Sequence, residues 1–114
     1  MAEKFDLSID QGSTFTSVVE YVTDTGAVIP LTGYSARMQF RTSYDAASPA
    51  LSLTEGAGLV TNGAAGSVTI TVAAAATASI PAKDYLYDLE VFNGAGDVKR
   101  LIEGVAMIRP EVTR

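Results

Sequence analysis

The sequence predicts an all-β protein, a single β-sandwich of about seven short strands. Three observations carry that expectation. Apolar and polar residues alternate with a period of two in several separate runs, clearest in Tyr34–Arg41, Ser67–Val72 and Tyr85–Phe92. Glycine, asparagine and aspartate recur between those runs, where a chain must reverse. The 114 residues suffice for one core, so one domain is expected over 1–114. Together they point to an immunoglobulin-like architecture, without the cysteine–tryptophan–cysteine signature of antibody domains.

Taken in order, Lys4–Asp10 places Phe5, Leu7 and Ile9 on one face and Asp6, Ser8 and Asp10 on the other, a half-buried first strand. Gly12 interrupts the alternation at a turn or bulge. Thr14–Val22 follows, with Phe15, Ser17, Val19 and Tyr21 opposite Thr14, Thr16, Val18, Glu20 and Val22. After turns at Asp24-Thr25-Gly26 and Leu31-Thr32-Gly33, a further strand buries Tyr34, Ala36, Met38 and Phe40 and presents Ser35, Arg37, Gln39 and Arg41 outward. These two runs read as adjacent strands. Thr42–Pro49 is a polar loop, Leu51–Leu53 a short edge strand, and Glu55–Gly63 an irregular glycine-rich connection.

The run Ser67–Val72, SVTITV, is the least ambiguous strand, with Val68, Ile70 and Val72 inward. Four consecutive alanines then favour helix, and Ile80-Pro81 ends it, so a short helical crossover is expected near 73–79. In Tyr85–Phe92 the core face is Tyr85, Tyr87, Leu89 and Val91. Asn93–Asp97, with Gly94 and Gly96, forms a hairpin turn, and Val98–Ile108 returns as the last strand, with a bulge expected at Gly104. Arg109–Arg114 reads as a polar tail.

Composition narrows the chemistry. With no cysteine there is neither a disulfide framework nor a thiolate metal site. With no histidine the usual base at neutral pH and the commonest metal ligand are missing. Thirteen acidic and eight basic residues give a net charge of −5, which disfavours nucleic acid and anionic membrane as partners. No run approaches the roughly 18 apolar residues of a membrane span. The opening MAEKFDLSID has acidic residues where a secretory signal needs a basic start, so assembly without export is expected.

The remaining constellations favour structure over catalysis. Asp88 and Glu90 share a strand face, as glycoside hydrolysis would need, but that face is the outer one, where cross-strand pairing with Arg37 or Arg41 accounts for them. Asp24 and Asp97 sit in turns, where an aspartate caps its own backbone; no Asp-x-Asp-x-Asp series indicates calcium. Gly56-x-Gly58 lacks the Gly-Lys-Ser/Thr of a phosphate loop. Most aromatic residues fall on core faces, leaving Tyr44 and Phe92 for surface recognition. No enzyme activity, metal or cofactor is expected.

Three stretches in order, Ile9–Phe15 (IDQGSTF), Asp24-Thr-Gly26 and Pro30–Arg41 (PLTGYSARMQFR), resemble small β-sandwich virion proteins of tailed bacteriophages. The glycine-rich middle, SVTITV, the alanine run ending in Ile80-Pro81 and Tyr85-x-Tyr-Asp-Leu-Glu90 extend the likeness over most of the chain. It is similar to the immunoglobulin-like domain of baseplate upper proteins and to the long-tail-fibre proximal connector group. The resemblance implies a structural tail or baseplate adaptor linking the tail to fibres or appendages. It also implies other virion proteins as partners, several copies in a symmetric assembly, and a place in the virion after assembly in the bacterial cytoplasm. Capsid decoration or cementing, and carbohydrate binding, are the alternatives. The expected interaction face is Arg37, Gln39 and Arg41; Gly12, Gly26, Gly33, Gly94 and Gly96 are assigned to structural turns; no catalytic residue carries over.

Overall fold

Nine strand segments and one helix form in the computed structural model, which describes residues 3–23 and 25–112. Asp24 of the expected turn and the last two residues of the tail lie outside the described residues. The strands are β1 (Glu3–Lys4), β2 (Leu7–Asp10), β3 (Phe15–Glu20), β4 (Ser35–Arg41), β5 (Leu51–Glu55), β6 (Gly58–Asn62), β7 (Ser67–Val72), β8 (Asp84–Phe92) and β9 (Val98–Arg109). The helix α1 (Ala74–Ser79) joins β7 to β8, close to its expected position.

One curled sheet results, with order β1-β9-β8-β4-β5-β6-β7-β3, and β2 follows β1 along the same side of β9. The inward residues of its two wings meet in one core. Met38, Phe40, Tyr85, Leu89, Ile9 and Ala106 come from one wing, and Leu59, Val68, Ile70 and Val72 from the other; all are buried. Burying each large side chain contributes on the order of 1.5–3 kcal/mol, so this alternation is what fixes strand register.

The curl is made at one corner. β5 and β6 are separated only by Gly56-Ala57 and pair in parallel at Thr54–Gly58 and Glu55–Leu59, so the chain winds once while passing between wings. Gly56 (φ 81°) and Gly58 (φ 103°) adopt a backbone region that other residues enter at a cost. A Cβ on Gly58 would also stand 2.7 Å from Leu53 Cδ2. Strands commonly change sheets through such bends.

Several expectations need correction here. The strand β3 pairs with β7, whereas β4 pairs with β5 and β8, so the two are not neighbours. The expected irregular connection at 55–63 contains β6, because Leu59 is needed in the core and Thr61 pairs with Val68. The short strand at Leu51 is not terminal in the sheet; it lies between β4 and β6. Nine segments replace the expected seven because the first run breaks at Phe5-Asp6 and the middle run winds at Gly56. Phe5 itself is exposed.

The last strand's irregularity is also displaced. Leu89 pairs with Ile102 but Glu90 with Arg100, so Leu101 is the extra residue, and Leu101 and Ile102 are both buried. Gly104 instead permits close approach, since a Cβ there would lie 2.6 Å from the Phe5 carbonyl. Of the assigned turn glycines, Gly12, Gly26, Gly33 and Gly96 have positive φ and Gly94 does not.

The helix is too short to stand alone and has no side-chain N-cap. It is held by tertiary bonds: the buried Thr77 hydroxyl donates to Ser13 O at 2.8 Å, and Gln11 Nε2 donates to Ile80 O at 2.8 Å. The buried tyrosine hydroxyls are satisfied likewise, Tyr85 donating to Pro81 O at 2.7 Å and Tyr87 to the Phe5 carbonyl.

Candidate interaction surface

Because Ala36, Met38 and Phe40 point into the core, Arg37, Gln39 and Arg41 project from the outer face of β4. The structure brings all three together with the acidic residues of β8: Arg37 lies opposite Glu90, Gln39 opposite Asp88, and Arg41 opposite Leu86. Arg37 Nε is 2.9 Å from Glu90 Oε1, and its guanidinium lies 4.7 Å from the Phe92 ring centroid. This cation–π contact leaves Phe92 half-buried. Arg41 donates to Gln39 Oε1 (2.9 Å from Nη2) and to Ala46 O (2.6 Å from Nη1), tying the 42–50 loop to β4.

A third strand completes the face. Arg100 of β9 stands 3.1 Å from Glu103 Oε1, 3.5 Å from Asp88 Oδ2 and 3.9 Å from Glu90 Oε2. Asp88 and Glu103 are themselves register partners. The Asp88 carboxyl is raised from its ordinary value, first by desolvation and then by the charge of Glu90, with Arg100 acting in the opposite direction. Arg100 is raised in turn, chiefly by its hydrogen bond to Glu103 and then by Asp88.

Arg100 and Glu103 were missed by the sequence reading. The available signal was the consecutive pair Leu101-Ile102: two adjacent apolar residues in an alternating strand imply a bulge, which places Arg100 and Glu103 on the same face despite their odd spacing.

Beside this network, Gln39, Arg41, Tyr44, Leu86, Asp88 and Glu103 border a cleft of about 170 Å³. That is below the roughly 300 Å³ at which small-molecule sites begin, whereas an adjoining open cleft bordered by Tyr44, Asp84, Leu86 and Val105 holds about 630 Å³ and one bordered by Arg37, Asp88 and Glu90 about 340 Å³. Tyr44 stands at the rim of the first, 89% exposed. Among the described residues, no group of three or more acidic side chains is placed to hold a metal ion, and no helix is long and apolar enough to cross a membrane.

The outer face of the other wing differs in kind. Its cross-strand rows are Thr16–Thr71, Val18–Thr69–Val60 and Glu20–Ser67–Asn62, with a single charge among them. Val18 and Val60 are 59% and 60% exposed. The chain thus carries one ion-paired face and one threonine–valine face. No protein-family model matches the sequence, and no curated protein sequence does either.

Proposed function

We propose that this protein is a non-catalytic structural component of a tailed-bacteriophage virion, an adaptor in the tail or baseplate region that connects the tail to fibres or appendages. The observation that carries the non-catalytic part is the Arg37–Glu90–Arg100–Asp88/Glu103 network. Its three carboxylates, Asp88, Glu90 and Glu103, each lie within ion-pair distance of an arginine on the outer face of the strands. The virion assignment rests on the sequence resemblance.

In this reading the curled sheet is an immunoglobulin-like sandwich whose wings are its two layers, a view supported by the sheet-switching corner at Gly56-Ala57. The Arg37/Gln39/Arg41 face meets other virion proteins. Its charges, already held in place by Glu90 and Ala46 O, supply register and partner choice more than affinity. Repetition around a symmetric assembly sums modest contacts through multivalency.

The test is the protein's abundance in purified particles from the strain that encodes it. The wild-type chain should be a stoichiometric component, and Arg37→Glu with Arg41→Glu should deplete it while the purified domain keeps its thermal transition. Absence of the wild-type protein from mature particles overturns the structural role. Normal incorporation of the folded double variant rejects that face.

A further inference from the structure

We propose that β3 is a self-pairing edge: two copies of the chain join their β3 strands antiparallel about a two-fold axis at Val18, extending the sheet across the dimer. The inference does not depend on the virion reading. The two ends of the sheet are treated differently. Among the described residues, β1 and β2 pair only with β9, and β3 only with β7. The first edge is blunted. Glu3, Lys4, Asp6 and Asp10 place four charges in eight residues, the strand breaks at Phe5-Asp6, and the Asp6 carboxylate accepts the Val105 N–H at 3.0 Å where a backbone carbonyl would otherwise sit. Charges and interruptions of this kind prevent edge-to-edge association.

The second edge has none of these devices. Phe15–Glu20, FTSVVE, is six residues without proline or bulge and with one charge at its end. Its inward side chains are also incompletely covered: Phe15 and Val19 are partly buried, whereas Val68, Ile70 and Val72 on β7 are fully buried. A further strand would complete that cover.

Backbone parity then selects the register. Tyr21 N–H donates to Gly66 O at 2.7 Å, and Tyr21 O accepts from Ile29 N at 2.8 Å, both on the β7 side of the strand. Backbone groups of successive residues point to opposite sides, so those of Thr16, Val18 and Glu20 point to the open edge. A two-fold at Val18 sets Val18 against Val18 of the second copy and Thr16 against its Glu20, all as hydrogen-bonded pairs. Glutamate meets threonine rather than glutamate, so no like charges oppose each other. On the inner face the same register brings Phe15 beside Tyr21 of the second copy. A two-fold centred on Glu20 would oppose the two carboxylates. The occupant that fits parity, charge and symmetry together is therefore a second copy of this chain.

The chain has no native cysteine, which makes the register measurable. Opposed Cα atoms in a hydrogen-bonded pair are about 5.5 Å apart, inside disulfide range. The two Thr16 residues would be four positions out of register, about 14 Å apart. Under mild aerobic oxidation Val18→Cys should give a covalent dimer and Thr16→Cys should not. In sedimentation equilibrium the full wild-type chain should dimerise with rising concentration. Val18→Lys, which opposes two cations at an exposed site, should move the midpoint to at least about tenfold higher concentration while leaving the circular dichroism spectrum unchanged. A wild-type chain that stays monomeric up to about 1 mM overturns the proposal. So does equal cross-linking of the two cysteine variants, failure of Val18→Cys to cross-link, or dimerisation by folded Val18→Lys as strong as wild type.

Discussion

Glu55 and Ala36 are joined where the sheet turns its corner: the Ala36 N–H donates to Glu55 Oε1 at 2.9 Å. Backbone pairing between β4 and β5 reaches Arg37–Thr54 and stops, because the chain winds away at Gly56. The carboxylate takes the place of the missing ladder carbonyl. It also accepts from Thr61 Oγ1 at 2.7 Å and Thr61 N at 2.8 Å, so a single side chain ties β4 to β6 across the bend.

Glu55→Ala should therefore destabilise the fold by about 1–2 kcal/mol, less than a fully buried charged hydrogen bond because the site is exposed. Burial is the largest single influence on this carboxyl and pushes it up, but the Thr61 and Ala36 hydrogen bonds together leave it lowered. A lowered folded-state value means that the contribution is present above the ordinary glutamate range and is lost as pH falls through the folded value. Urea midpoints of wild type and variant should accordingly converge on acidification. A gap that widens would refute the assignment.

The register of the second wing gives a sharper contrast. Ile70 is fully buried while its neighbour Thr69 lies on the outer face between Val18 and Val60. Ile70→Ala should cost about 2–5 kcal/mol through lost burial and the cavity left, and Thr69→Ala under about 1 kcal/mol. Equal denaturation midpoints would mean the strand is shifted by one residue.

Alternation located most of the core: Val68/Ile70/Val72, Tyr85/Tyr87/Leu89/Val91 and Ala36/Met38/Phe40 are all buried as their periodicity predicts, whereas Tyr34, which precedes β4, and the Phe15/Ser17/Val19/Tyr21 face are only partly buried. The outward placement of Arg37, Gln39 and Arg41 was legible for the same reason. What was not legible is pairing between strands. Alternation specifies a face but not a neighbour, so nothing in Thr14–Arg41 distinguishes a hairpin from two strands in separate wings. The glycine-rich 55–63 run was equally opaque, because turn composition there conceals a corner with strands on both sides. Arg100 was hidden by the Leu101 bulge, which reverses phase halfway along β9.

Arg37 and Glu90 are exposed enough for solvent to weaken their attraction. A double-mutant cycle with Arg37→Ala and Glu90→Ala should return a coupling of about 0.2–1 kcal/mol. It should fall further near 1 M salt, where the screening length is about 3 Å. A coupling above about 2 kcal/mol would show the pair to be a principal stabiliser of the β4–β8 ladder rather than a feature of its surface.

Asp88 should respond to pH with the sign opposite to Glu55. Its carboxyl is raised, first by desolvation and then by Glu90, with Glu103 also raising it and Arg100 and Arg37 opposing. The folded protein therefore holds the Asp88 proton more tightly than the unfolded chain does. Between the ordinary aspartate value and the raised one, the folded state carries more protons, so this residue's contribution to stability declines as pH rises through that window. Above it, the charged form is the disfavoured one, and removing the charge relieves repulsion with Glu90 and Glu103 while sacrificing the 3.5 Å contact to Arg100. Asp88→Asn should thus be neutral or mildly stabilising at pH 7, and should lose that advantage relative to wild type as the solution is acidified below the window. Parallel urea titrations of wild type, Asp88→Asn and Glu55→Gln at pH 7 and pH 4 separate the two behaviours. If Asp88→Asn instead destabilises at pH 7 and the deficit vanishes in acid, the Arg100 contact outweighs desolvation and the like charges, and Asp88 is a net contributor to the fold.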